Sequence, residues 1–151
     1  MIPWVLLDTA KIPGDGGELR LKKRGSEFSI MLGSNELMNS RLSGSEEALA
    51  KLSCLRIQGR ERPNILIGGL GMGFTLRAAL SVLGPQAEIV VAELMPSVLT
   101  WTTFRTIPAW WRKTSISRTV AVAAVFMDAS LGWAQISTIS DNTLSMHPLV
   151  K

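Results

Sequence analysis

The sequence has a single cysteine, a single histidine and no tyrosine. One thiol cannot form an internal disulfide bond, so the cysteine content is typical of a reducing compartment and we expect a cytoplasmic protein. Cys54 lies among apolar residues of a predicted helix, where we expect a packed and unreactive thiol. One cysteine and one histidine do not make the ligand cluster of a metal site, and we predict none.

Long apolar runs are also absent. No run reaches the ~18 residues of a membrane-spanning helix, and residues 1–10 do not have the basic start or the cleavage pattern of a signal peptide. The net charge is +4, but the only compact basic run, at residues 22–24, has no interleaved aromatic residues. We therefore expect neither a membrane nor a nucleic-acid partner, and interpret this run as a solvated face or a turn.

What is present is typical of a folded chain, since 46% of the 151 residues are hydrophobic and 19% are charged. Near the N-terminus, residues 4–7 and 18–22 flank a dense turn signal at residues 13–17 and predict a hairpin. Residues 27–32 predict a further strand. Residues 1–42 are thus predicted to form a small β-rich N-terminal module.

After residue 42, the apolar residues recur with the period of a helix. The segment Ser-Gly-Ser-Glu at residues 43–46 offers a capping box, and Leu49, Leu52 and Leu55 recur at helical spacing. These signals predict a helix over residues 45–57.

A β–loop–α–β pattern follows. Residues 65–67 and 87–94 are short apolar runs typical of buried strands, residues 68–73 form a glycine-rich loop, and residues 74–83 predict a helix. Strand, loop, helix and strand in this order predict parallel pairing through a crossover connection.

The signal weakens beyond residue 95. Residues 96–104 fit a second crossover helix, residues 120–127 fit a third buried strand that ends at Asp128, and the remainder fits a strand stub and a tail. We predict an α/β fold in which residues 43–151 form an incomplete Rossmann-like parallel sheet of three or four strands. Such a sheet leaves an apolar edge uncovered, so we also expect the chain to pair with a second copy as a homo-oligomer.

The glycine loop carries the most informative chemistry. Gly69, Gly71 and Gly73 permit a tight turn and close approach of a ligand to the backbone, and Glu93 follows twenty residues later at the end of the next strand. A carboxylate there is suited to accept both hydroxyl groups of a ribose. The spacing is G-x-G-x-G rather than the dinucleotide pattern G-x-G-x-x-G, because position 74 is phenylalanine. The loop therefore favours an adenosyl ligand over NAD, and an NAD-binding module remains an alternative.

Three segments in order resemble the bacterial spermidine-synthase-like proteins: ELMNSR at residues 36–41, GSEEALA at residues 44–50 and IGGLGMGFTLR at residues 67–77. The resemblance implies a β-rich N-terminal module followed by a Rossmann-like fold of the class I methyltransferase type. It implies S-adenosylmethionine or its decarboxylated form as the nucleoside substrate, and a polyamine as the acceptor.

The resemblance also implies roles for individual residues. Gly69, Gly71 and Gly73 match the glycines of the nucleotide loop, Glu93 matches the acid that binds the ribose, and Asp128 lies near the place of the acid that meets the adenine.

Two positions depart from the family pattern. Spermidine synthases have an aspartate inside the glycine loop where this chain has Met72, and Asp141 is the only candidate for their catalytic aspartate. The residue types favour a turn residue before Asn142 as the role of Asp141, with the catalytic role as the alternative. Aminopropyl and methyl transfer therefore both stay open, and a non-catalytic or truncated nucleoside-binding relative is the alternative function.

Overall fold

The computed structural model describes residues 2–14, 16–102, 120–125, 134–140 and 143–148. These residues form three helices and nine strands, whose bounds are β1 Val5–Lys11, β2 Glu18–Arg24, β3 Glu27–Leu32, β4 Asn35–Asn39, α1 Gly44–Leu55, β5 Asn64–Gly68, α2 Phe74–Val82, β6 Glu88–Glu93, α3 Pro96–Thr100, β7 Val120–Val125, β8 Ala134–Ser140 and β9 Thr143–Pro148. The chain is a mixed α/β structure. None of the described helices is long and apolar enough to cross a membrane.

The first four strands form an antiparallel sheet in the order β1-β2-β3-β4. The predicted hairpin is confirmed, because β1 pairs with β2 from Val5 opposite Lys23 to Lys11 opposite Glu18. The basic run ends β2, where the Arg24 guanidinium lies 4.6 Å from the ring centre of Trp4 and donates to Glu27 at 2.7 Å. The run thus belongs to a partly exposed strand.

The other five strands form a second sheet in the order β5-β6-β7-β8-β9. β5, β6 and β7 are parallel, and α2 joins β5 to β6 as predicted. The predicted stub and tail are wrong, because β8 and β9 form an antiparallel hairpin that extends the sheet beyond β7. Ile136, Thr138 and Ile139 in β8 are of residue types with high strand propensity, which favours this pairing.

Helix α1 confirms the predicted helix but not the predicted capping box. Ser43 is the N-cap residue and makes no side-chain capping bond. Its backbone has φ −139° and ψ 3°, outside the extended region typical of capping serines. Its hydroxyl instead donates to Glu47 at 2.8 Å, while Glu46 accepts from Ser45. The capping box is therefore absent.

The leucines of α1 face outward. Leu49, Leu52 and Leu55 are 62%, 64% and 54% exposed, whereas Ala50 and Cys54 are buried against the second sheet. The small size of the buried pair lets α1 lie close to α2. Burial raises the pKa of the Cys54 thiol, and its packed position is confirmed.

The two sheets share a core. Leu19, Leu21 and Ile30 of the first sheet pack with residues of the second part of the chain, which are Met72, Met95, Val98 and Trp101. Trp101 is 1% exposed, and its indole N–H donates to the Asp8 carboxylate at 3.0 Å. The N-terminal sheet is therefore fixed directly over the segments that follow β5 and β6.

An ion pair between Glu47 and Arg77 joins α1 to α2. The pKa of Glu47 is held below its ordinary value, mainly by the Ser43 hydroxyl and further by Lys51 and Arg77. A lowered folded-state pKa contributes stability above the ordinary glutamate pKa, and this contribution is lost as the pH falls through the lowered value.

We expect Glu47→Gln to lower the melting temperature at pH 7. The variant should also show a smaller further fall in melting temperature below pH ~4 than the wild-type protein. Thermal unfolding followed by circular dichroism between pH 7 and pH 3 measures both effects. Glu61→Gln, at an exposed position in the connector after α1, is the control and should leave the profile unchanged. Equal profiles for both variants would contradict the role assigned to Glu47.

Candidate functional site

The glycine loop follows β5 at its carboxyl end and leads directly into α2. Gly69, Gly71 and Gly73 have positive φ values of 88°, 53° and 77°. The Gly69 N–H donates to the Ala92 carbonyl of β6 at 2.6 Å, and the Gly73 N–H donates to the Leu70 carbonyl at 2.8 Å. The loop is therefore a closed turn attached to the end of the neighbouring strand.

Glu93 lies inside this turn. Its side chain is buried, with the residue 7% exposed. One carboxylate oxygen, Oε2, accepts the N–H of Leu70 at 2.7 Å and, at a long 3.4 Å, that of Gly71, while Oε1 accepts the Met95 N–H at 2.8 Å. The carboxylate thus connects the loop after β5 to the turn after β6.

The strand register explains why Glu93 meets the loop. Gly68 pairs with Ala92 in the parallel β5–β6 ladder, so the next residues, Gly69 and Glu93, lie side by side at the carboxyl ends of the two strands. The sequence predicts this proximity from the two strand ends. It does not reveal that backbone amide groups of the protein itself bind the carboxylate, because that depends on the path of the loop.

Gly69 and Gly71 have opposite surroundings. A Cβ atom at Gly71 would lie 3.0 Å from the sulfur of Met38 in β4, so the missing side chain makes room for the N-terminal sheet. The Gly71 carbonyl also accepts the Thr102 hydroxyl at 2.5 Å. At Gly69, apart from its chain neighbours, no atom of the described residues lies within 4 Å of the corresponding position. Within the described part of the chain, the loop backbone is therefore uncovered at Gly69.

Met72 also belongs to the interface between the sheets. It is 5% exposed and packs in the cluster that contains Leu21, Ile30 and Trp101. The thioether is thus a core group, and the position where the resembling family has an acid is covered by the N-terminal sheet. Trp101 is held in the same cluster.

A separate cavity of about 200 Å³ lies between α1, β5 and α2. Its walls include Leu49 and Ser53 of α1, Ile65 and Gly68 of β5, and Thr75 of α2. Among the residues described for its wall there is no carboxylate. The cavity is therefore mainly apolar and adjoins the beginning of the loop rather than Glu93.

Two of the predicted site residues, Asp128 and Asp141, lie outside the described residues. The structure brings Glu93 together with Gly69, Gly71 and Gly73. Sequence reasoning missed Met38 and Thr102, which contact Gly71 from distant segments and carry no recognisable motif.

Comparison of the chain with models of known protein families gave no match, and comparison with curated proteins gave none either. The likeness to spermidine-synthase-like proteins stays a prediction that depends on three sequence segments.

We expect Glu93→Gln to destabilise the fold. Both carboxylate oxygens of Glu93 accept hydrogen bonds from backbone N–H groups, and the substitution replaces one of these oxygens with an NH₂ group that faces an N–H donor. Loss of a charge-assisted bond and an unsatisfied buried group cost about 2–3 kcal/mol, which corresponds to a fall of roughly 5–10 °C in melting temperature. Glu88→Gln, at an exposed position in the same strand, is the matched control and should change the melting temperature little. Equal melting temperatures for Glu93→Gln and the wild-type protein would contradict the bonding described here.

Proposed function

We propose that the chain binds an adenosyl nucleoside, S-adenosylmethionine or its decarboxylated form, as a spermidine-synthase-like transferase with a Rossmann-like fold of the class I methyltransferase type. The observation that carries the proposal is the unit formed by β5, the glycine loop, α2 and β6. In this unit a buried carboxylate lies at the end of β6, beside a glycine backbone that is open at Gly69. Ligands of open α/β sheets bind beyond the carboxyl ends of the strands.

Glu93 is the group proposed to hold the ribose. A carboxylate has about four acceptor directions, of which two are taken by short bonds to Leu70 and Met95 and a third by the long contact to Gly71. About one acceptor direction therefore remains free, which is enough for one ribose hydroxyl group. The amide bonds fix the orientation of the carboxylate before a ligand arrives, which reduces the cost of ordering it on binding.

The same arrangement favours an adenosyl ligand over NAD. A pyrophosphate needs free N–H groups in the glycine loop, but those of Leu70 and Gly71 point at the Glu93 carboxylate. A phosphate at this place would also meet a like charge. A sulfonium ligand carries no phosphate and is positively charged, so the carboxylate attracts it.

In the transfer reaction, the nitrogen lone pair of a polyamine forms a bond to the carbon beside the sulfonium. The carbon–sulfur bond breaks with its electrons moving to sulfur, which leaves methylthioadenosine, and the nitrogen gives a proton to a carboxylate. The resemblance assigns that last role to Asp141 and the contact with adenine to Asp128. Methyl transfer from S-adenosylmethionine is the other reaction open to this ligand.

Met72 favours a second candidate function, a nucleoside-binding relative without aminopropyl transfer. Its side chain is buried beneath the N-terminal sheet, so the loop supplies no acid to bind an amine at that position. Binding and turnover therefore need separate experiments.

We expect Gly69→Ala to weaken adenosyl binding at least about tenfold, a loss of ~1.4 kcal/mol, because the new methyl group occupies the open side of the loop. Titration calorimetry with S-adenosylmethionine, its decarboxylated form, methylthioadenosine and NAD measures the affinities. Gly59→Ala is a matched control: Gly59 has φ +90° against +88° at Gly69, and the described residues, chain neighbours aside, place no atom within 4 Å of either Cβ position. Both substitutions carry the same backbone strain, of roughly 1–2 kcal/mol.

Only Gly69→Ala should therefore lose affinity. Equal affinity in the two variants, or NAD binding more tightly than every adenosyl compound in the wild-type protein, would contradict the proposed ligand.

We expect little or no aminopropyl transfer by this chain, since Met72 replaces an acid of the loop. The measurement is release of methylthioadenosine from decarboxylated S-adenosylmethionine with putrescine or spermidine as the acceptor. Rapid release would exclude the non-catalytic alternative and would mean that another acid, such as Asp141, completes the site.

A further inference from the structure

The outer edge of β5 has unpaired hydrogen-bonding groups. β5 is the terminal strand of the second sheet, and within the described residues no strand pairs with its other edge. Its sequence is Asn-Ile-Leu-Ile-Gly, without a charge or a proline. Charged residues and prolines normally protect an exposed edge strand from pairing with another chain, so β5 lacks this protection.

The hydrogen bonds at the two ends of β5 establish which residues face outward. The Pro63 carbonyl accepts from Glu88, and the Gly69 N–H donates to Ala92, so both groups point toward β6. Backbone groups alternate in direction along a strand. The N–H and C=O groups of Asn64, Leu66 and Gly68 therefore point away from β6, toward the free edge.

We propose that this edge pairs with β5 of a second copy of the chain, antiparallel and across a two-fold axis at Leu66. In this register Leu66 lies opposite Leu66 of the other copy, and Asn64 lies opposite Gly68 in both directions. It is the register that pairs all three outward residues of the strand. The two sheets then form one continuous sheet of ten strands, twice the five of a single chain. The interface is isologous, as a two-fold dimer requires.

Apolar side chains border the edge on both sides. Ile65 and Ile67 pack in the cluster that contains residues of α1 and α2. Side chains alternate along a strand, so the side chain of Leu66, which is 72% exposed, lies on the other face, as does that of Val90, its neighbour in register, which is 41% exposed. On the helix side, the exposed Leu49 lines the cavity that runs along β5. An added strand would cover part of each of these groups, which contributes hydrophobic stabilisation to the backbone pairing.

The size of the interface makes the dimer a weak one. A strand of five residues is ~17 Å long, so its contact lies at or below the ~800 Å² per partner of a standard stable interface. We expect dissociation in the micromolar range, where sedimentation velocity resolves monomer and dimer. This inference does not depend on nucleoside binding.

The first experiment compares sedimentation of the full chain and of two lysine variants over micromolar concentrations. Leu66→Lys places two like charges directly opposite each other across the axis and should weaken the dimer at least tenfold. Val90→Lys adds the same charge on the same face one strand further in, and should leave the dimer largely intact. A wild-type chain that is monomeric at ~100 μM overturns the proposal, as does a dimer that Leu66→Lys leaves unchanged.

The second experiment tests the register by oxidation. The Cα atoms of opposed residues in a hydrogen-bonded antiparallel pair are ~5.5 Å apart, within the range for a disulfide. Leu66→Cys should therefore form a covalent dimer. In Val90→Cys the two thiols lie three strand spacings apart, ~14 Å, and should not bond, while the native Cys54 is buried in both variants. Cross-linking of Val90→Cys but not Leu66→Cys would place the interface on the sheet face and overturn the proposed edge pairing.

Discussion

The candidate site depends on the burial of one carboxylate among backbone N–H groups. A buried carboxylate is tolerated when donors compensate for the water it loses, and Glu93 has three such donors from two turns. The same bonds satisfy amide groups of a glycine loop that lies beneath a second sheet. The shape of the loop and the position of the acid thus stabilise each other.

The N-terminal sheet packs directly against the glycine loop. Met38 fills the space beside Gly71, and Met72 extends from the loop into the cluster around Leu21. The side of the loop at Gly71 is therefore occupied by protein, whereas no described side chain or distant backbone lies within 4 Å of the Cβ position of Gly69. This division makes the two glycines unequal although they look alike in the sequence.

The elements that sequence reasoning predicted well are those with strong local signals. Apolar runs separated by glycines predict β5, α2 and β6, because strand and helix periods differ and glycine interrupts both. The outward face of Leu49 could not be predicted in this way. The side of a helix that is buried depends on its neighbour, and close packing of α1 against α2 favours the small residues Ala50 and Cys54. The β8–β9 hairpin was missed for a similar reason, since β8 also pairs with β7, and the local sequence does not specify that partner.

The hydrogen bond between Trp101 and Asp8 joins residues that are 93 positions apart. Contacts between segments so distant in sequence require a large loop to close, and such contacts form late during folding. The glycine turn can form locally with β5 and α2, but its covering by Met38 requires the docked N-terminal sheet. In a refolding chain, native secondary structure around β5 should therefore precede burial of the Trp101 indole, and the glycine loop should gain its final rigidity only in that last, long-range step.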